Sequence, residues 1–140
     1  MSKAFHRRLP IRFADVDYAR VLYFPRQLDL LHTVMEDFFR EAVGISYAEM
    51  LQRDRIGFPT VRIEADFRAP LRFGEEADVA LRVKELGRKK VVFRYEISRA
   101  ETGEVTGVVT QTTVAIDPET WHAIELPPKY REALGRLVGA

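Results

Sequence analysis

The hydrophobic pattern changes period once along the chain, dividing it into a largely helical first part and a β-rich remainder. Near the start, Leu9, Ile11 and Phe13 alternate with Arg8, Pro10 and Arg12. That alternation predicts a strand over residues 6–13, and Pro10 assigns it to an edge or a bulge. Residues 23–42 follow a helical period instead. Phe24, Leu28, Leu31, Met35, Phe38 or Phe39, and Ala42 form one stripe, widened by Leu30 and Val34. A stripe this wide predicts one long helix covered over more than half its circumference. Arg26, Asp29, Glu36 and Arg40 keep a narrower polar face. Pro25 is compatible with the first turn, where its missing N–H would have no intrahelical acceptor, and Gly44 is placed to end the helix. Ser46 with Glu49 forms a capping box for a short second helix that ends near Asp54, and Gly57, Phe58 and Pro59 make a turn.

From Thr60 onward the period is two. Val61, Ile63, Ala65 and Phe67 alternate with charged residues, as do Val79, Leu81 and Val83, and then Val91, Phe93, Tyr95 and Ile97. A Val- and Thr-rich strand is predicted over residues 105–116. Tight turns between these runs favour an antiparallel meander. Every strand has one apolar face, and the only large apolar partner is the helix over residues 23–42. The expected architecture is therefore α+β: an antiparallel sheet of about five strands wrapped around a long central helix. A short surface helix is expected over residues 127–137.

Composition narrows the picture without changing it. With 140 residues and 46% hydrophobic residues, the chain is expected to form a single domain spanning residues 1–140. Charged residues of both signs are interspersed to a formal net of +1, so charge gives no reason to expect nucleic-acid or membrane binding. The absence of cysteine excludes thiol chemistry, disulfides and thiolate metal sites. No apolar run approaches a membrane span and the N-terminus lacks a signal-peptide core, which makes a cytoplasmic protein the expectation.

The stretch 12–25, RFADVDYARVLYFP, holds the candidate chemistry. Two carboxylates, Asp15 and Asp17, stand just ahead of a helix N-terminus, which offers unpaired N–H groups and a partial positive charge. A polarised carbonyl and an attacking carboxylate can meet there. On residue type alone, each acid can equally be a capping or turn residue.

In this stretch, in RIGFPTVRIEADFRAPLRFGEEADV (residues 55–79) and in HAIELPPKY (residues 122–130), the chain resembles the hotdog-fold acyl-CoA thioesterases of the 4-hydroxybenzoyl-CoA thioesterase type. The resemblance implies hydrolysis of an aromatic or short-chain acyl-CoA to free acid and coenzyme A. It makes Asp17 the catalytic carboxylate, as nucleophile or as general base. It directs the thioester oxygen at backbone N–H groups near Tyr23 and Phe24, an arrangement that helix-end physics also favours. No metal or cofactor is needed, coenzyme A entering as part of the substrate. Asp15 is expected to cap or orient the loop. The family pattern has glycine where this chain has Arg20, so either the loop takes another path or Arg20 projects toward substrate.

The resemblance also implies a homodimer whose two sheets join, often doubled to a homotetramer, with the active site at the subunit interface. Tyr18, Tyr23, Phe24, Phe58 and Pro59 are candidates for the acyl pocket, the turn of Phe58 and Pro59 being one that in the family reaches the active site of the neighbouring subunit, although aromatic residues also build cores. Arg88 and Lys89, in a basic run at a strand turn, are candidates for the coenzyme A phosphates, or else a solvated hairpin; Lys129 and Arg131 are weaker candidates of that kind. Glu36 and Glu41 matter because another hotdog branch carries its catalytic Glu on the central helix. His6, His32 and His122 have no metal-ligand spacing. Hydrolysis of acyl-carrier-protein thioesters, dehydration and non-catalytic acyl-CoA binding are the alternatives.

Overall fold

The computed structural model describes residues 4–139. Five strands, β1 (Phe5–Pro10), β2 (Thr60–Phe67), β3 (Glu76–Leu86), β4 (Lys90–Arg99) and β5 (Val105–Val114), accompany three helices, α1 (Phe24–Phe38), α2 (Tyr47–Gln52) and α3 (Pro128–Gly135). All strand pairs are antiparallel, in the order β1-β3-β4-β5-β2. The α+β architecture is as the periodicity predicts, but the meander is confined to β3, β4 and β5. Only tight loops force sequence neighbours to pair. The longer segment 68–75 lets the chain leave β2 at one edge and enter β3 beside β1 at the other. Pro10 ends an edge strand, where its missing N–H breaks no ladder bond.

Helix α1 packs against the sheet, its buried Leu31, Val34, Met35 and Phe38 sharing one core with residues of β3 and β4. Pro25 stands in its first turn, and its last turn, Phe39–Val43, widens to a π-helix. Gly44 closes it at φ 83, donating its N–H to the Phe39 carbonyl at 2.9 Å. The widened turn buries both Phe38 and Phe39. Phe39 packs edge-on against Phe38 and Phe58 and tilted against Phe93, with ring centroids 5.8, 6.0 and 6.3 Å apart. The Ser46–Glu49 capping box forms as expected, the serine hydroxyl accepting from the Glu49 N–H at 3.0 Å.

The core is not wholly apolar. Tyr95 donates its hydroxyl to Gln111 at 2.6 Å, and Gln111 donates its amide to Thr60 at 2.7 Å, tying β4 and β5 to the start of β2. Burial raises the Tyr95 pKa, with Tyr47 adding to the effect. Helix α3 differs from expectation: Tyr130, Ala133 and Leu134 are buried, so it packs onto the sheet instead of lying on the surface. Lys129, Arg131 and Glu132, interleaved with these positions, hide the buried stripe in the sequence. Strand β2 remains exposed along its whole length, Val61 at 60% and Ile63 at 42%.

Candidate active site

The two acids sit on one arm of a small hairpin that feeds into α1. Val16 and Leu22 form an antiparallel bridge. Asp17 donates its N–H to the Val21 carbonyl at 3.0 Å, and Tyr23 donates its own to the Asp15 carbonyl at 3.0 Å. The connecting turn is closed by the Arg20 N–H on the Asp17 carbonyl at 2.9 Å. The residue that completes such a loop takes the left-handed conformation, the reason glycine is favoured there. Arg20 adopts it, at φ 69. The loop therefore keeps the glycine-type path with an arginine on it.

Asp15 and Asp17 have separate environments. Asp15 is 1% exposed, accepting Arg26 Nε on Oδ1 at 2.8 Å and the Arg12 N–H on Oδ2 at 2.9 Å. Burial alone would raise its pKa, but the bonds from Arg26 and Arg12 outweigh it and hold the carboxyl below the usual range. Arg26 is braced in turn by Asp29 at 2.8 Å. Asp15 thus fixes the strand before the loop to the first turn of α1. Asp17 is half-buried, and its Oδ1 accepts the Ala19 N–H at 2.8 Å, which sets the carboxylate's direction. Among the described residues, Oδ2 has no hydrogen-bond partner.

Of the two helix-start amides, Tyr23 has its N–H occupied by Asp15. Phe24, the first residue of α1, has no intrahelical acceptor for its own, and Pro25 after it has no N–H. Asp17 lies two rungs along the hairpin from Tyr23, about 7 Å at the usual strand rise. A cavity of about 730 Å³ opens beside Asp17, walled by Val16, Tyr18, Arg20, Phe13, Arg72 and Phe73. Phe13 and Phe73 meet edge to face with centroids 5.9 Å apart. Arg72 and Phe73 escape a sequence reading because they come from segment 68–75. A bridge between Arg72 and Val21 places them here, and local pattern does not encode it.

The other candidates lie elsewhere. Phe58 is 4% exposed and stacked in the core with Phe39 and Phe93, so it does not line the Asp17 cavity. Its ring fills the space beneath the π turn, against Phe39. Pro59 is half-buried at the start of β2, its carbonyl accepting the Val114 N–H at 3.2 Å. Arg88 and Lys89 sit at the far end of β3, roughly 30 Å of strand from the cavity side. Arg88 is paired with Glu125 at 2.6 Å. Lys129 pairs with Asp54 at 2.7 Å, and Arg131 donates to the Gly87 and Arg88 carbonyls. His32 pairs with Glu36 at 3.0 Å and meets Tyr47 edge-on, while Glu41 pairs with Arg7 on the outer face. Among the described residues no three acidic or histidine side chains gather as a metal site, and no helix is long and apolar enough to cross a membrane.

The family model of the thioesterase-like superfamily matches residues 11–134. A 1,4-dihydroxy-2-naphthoyl-CoA hydrolase from Nostoc punctiforme is 30% identical over 127 residues, 91% of this chain and 82% of the relative. A 1,4-dihydroxy-2-naphthoyl-CoA thioesterase from Synechocystis superimposes with a TM-score of 0.87 at 24% identity, over 94% of this chain and 96% of that one. A Staphylococcus aureus protein solved in complex with CoA superimposes with a TM-score of 0.86 at 12% identity, over 97% of this chain and 84% of that one. By sequence and by fold, the chain belongs to the thioesterase-like superfamily of hotdog thioester hydrolases.

Proposed function

We propose that the protein hydrolyses the thioester of an aromatic or short-chain acyl-CoA, releasing the acid and coenzyme A. The observation that carries this reading is the half-free Asp17 carboxylate, held at the end of a hairpin whose other arm becomes the start of α1. In this reading the thioester oxygen accepts the Phe24 N–H, which stabilises the charge that develops there. Tyr23 supports the site through its bond to Asp15 and is not the donor. Asp17 either attacks the carbonyl carbon, expelling the thiolate and leaving an acyl-aspartyl anhydride that water then opens to the free acid and the restored carboxylate, or takes a proton from a water that itself displaces the thiolate; in both routes the thiolate is protonated from solvent. Transfer of labelled oxygen from heavy-oxygen water into Asp17 over several turnovers marks the nucleophilic route.

The relatives named as 1,4-dihydroxy-2-naphthoyl-CoA hydrolases support an aromatic acyl group. The exposed β2 edge supports a homodimer in which two sheets join, with the tetramer a further pairing. Arg88 and Lys89 lie too far from Asp17 within one chain to serve the same substrate molecule, so any phosphate contact from them is made across that dimer. A screen of aromatic, short-chain and long-chain acyl-CoAs, with thiol release followed by a disulfide reagent, tests the function. Release from the aromatic members is expected; binding without release is the result that would leave only a binding module.

A further inference from the structure

Arg20 and Arg72 stand out in the wall of the Asp17 cavity because they are uncommitted. Most arginines of the chain are engaged with carboxylates, for example Arg7, Arg26, Arg40, Arg68, Arg88 and Arg99. Among the described residues, neither the Arg20 nor the Arg72 guanidinium makes a hydrogen bond or an ion pair, and Glu75 feels Arg72 only at a distance. Arg20 also holds its place in a conformation that L side chains resist. The catalytic carboxylate by itself would give the cavity a negative wall and repel an acidic acyl group. Two cations against one anion reverse that sign. Phe13 and Phe73, packed edge to face, add apolar aromatic area to the same wall.

Resting on the proposed hydrolysis, we propose that Arg20 and Arg72 form an anion-reading subsite selecting aromatic acyl thioesters with an acidic substituent, a carboxylate or an ionised phenol. Planar guanidinium groups suit such a group by charge and by paired hydrogen bonds. The anion read is on the acyl side. Arg20 closes the very turn that Asp17 opens, within about 7 Å between Cα atoms, whereas the phosphates of coenzyme A are separated from the reacting carbon by the whole pantetheine arm.

The test compares wild type, Arg20→Gly, Arg72→Gln and the double variant on benzoyl thioesters with and without a ring carboxylate. Each acyl group is carried on coenzyme A and on N-acetylcysteamine, which has no phosphate. The readout is the ratio of kcat/KM for the acidic over the neutral substrate. Wild type is expected to prefer the acidic member on both carriers, and each single variant to lower that ratio by about tenfold or more, a charged hydrogen bond being worth at least that factor. Arg20→Gly places glycine at the left-handed position, so its melting temperature is expected to equal or exceed that of wild type, separating selectivity from folding. An absent wild-type preference, a ratio unmoved by the substitutions, or a change seen only on coenzyme A thioesters would overturn the subsite. If Asp17-dependent hydrolysis persists in those cases, the proposed function stands without it; if wild type cleaves no acyl thioester, both fail.

Discussion

Replacing Asp15 by asparagine tests whether it is the structural acid of the pair, Asp17 being the one proposed for the chemistry. The carboxylate uses both oxygens: Oδ1 accepts Arg26 Nε at 2.8 Å and Oδ2 accepts the Arg12 N–H at 2.9 Å. Asparagine keeps one acceptor and turns the other into a donor, so one N–H partner faces another N–H at a site that is 1% exposed. Arg26 can fall back on Asp29 at 2.8 Å, and nothing is counted for it. The loss is then that of one buried donor left without an acceptor, about 2 kcal/mol. For a chain of this size that lowers Tm by roughly 6 °C. Thermal unfolding followed by circular dichroism measures it, with Asp17→Asn as the control. The single bond from Ala19 to Asp17 Oδ1 survives in an amide, so Asp17→Asn is expected within about 0.5 kcal/mol of wild type. Equal melting temperatures for Asp15→Asn and wild type, or the larger drop in Asp17→Asn, would refute this division of roles.

Other parts of the molecule give equally direct tests. Phe58→Ala removes a buried ring from the cluster with Phe39 and Phe93, and is expected to cost about 3–5 kcal/mol in denaturant unfolding; a normal midpoint with a raised KM would return Phe58 to the substrate pocket. Lys129 and then Tyr130 hold the Asp54 carboxyl down, from an ordinary value of 3.8 to about 2. A depressed carboxylate stabilises the fold above its unfolded value and loses that contribution as pH falls through its folded one. The stability gap between wild type and Asp54→Asn should therefore close between about pH 4 and pH 2, and a gap constant over that window would contradict the pairing. Ile63→Lys, on the exposed β2 edge, is expected to halve the mass measured by light scattering if two sheets join there; an unchanged mass places the interface elsewhere.

How much of this was legible in the sequence varied with how local the cause was. Most of the α1 stripe, the Ser46–Glu49 box, Gly44 as the helix end and the alternation of β4 follow from neighbours in sequence and form as read; Phe24, which opens the stripe, is instead 60% exposed. The strand order does not, because segment 68–75 is long enough to cross the sheet and its endpoint is set by pairing with β1. For the same reason Arg72 and Phe73 were invisible as cavity residues. The packing of Phe58 was not legible either, because a turn sequence gives no sign of the hollow beneath the π turn that its ring fills. At the site itself, the two acids and the helix start were legible as a pattern. Which amide was free was not, since that depends on the Tyr23 N–H meeting the Asp15 carbonyl. Arg20 was visible as a departure, and the structure supplies its meaning: the left-handed backbone is retained, and a cation is added to the wall.

The proposed hydrolysis depends on the Asp17 carboxylate performing the chemistry at the start of α1. The most direct measurement is thiol release from an aromatic acyl-CoA by wild type and Asp17→Asn, with Tm and solution mass recorded for both. A loss of roughly 10²–10⁴-fold in kcat, at unchanged Tm and mass, is the predicted result. Turnover by Asp17→Asn within a few-fold of wild type would contradict it.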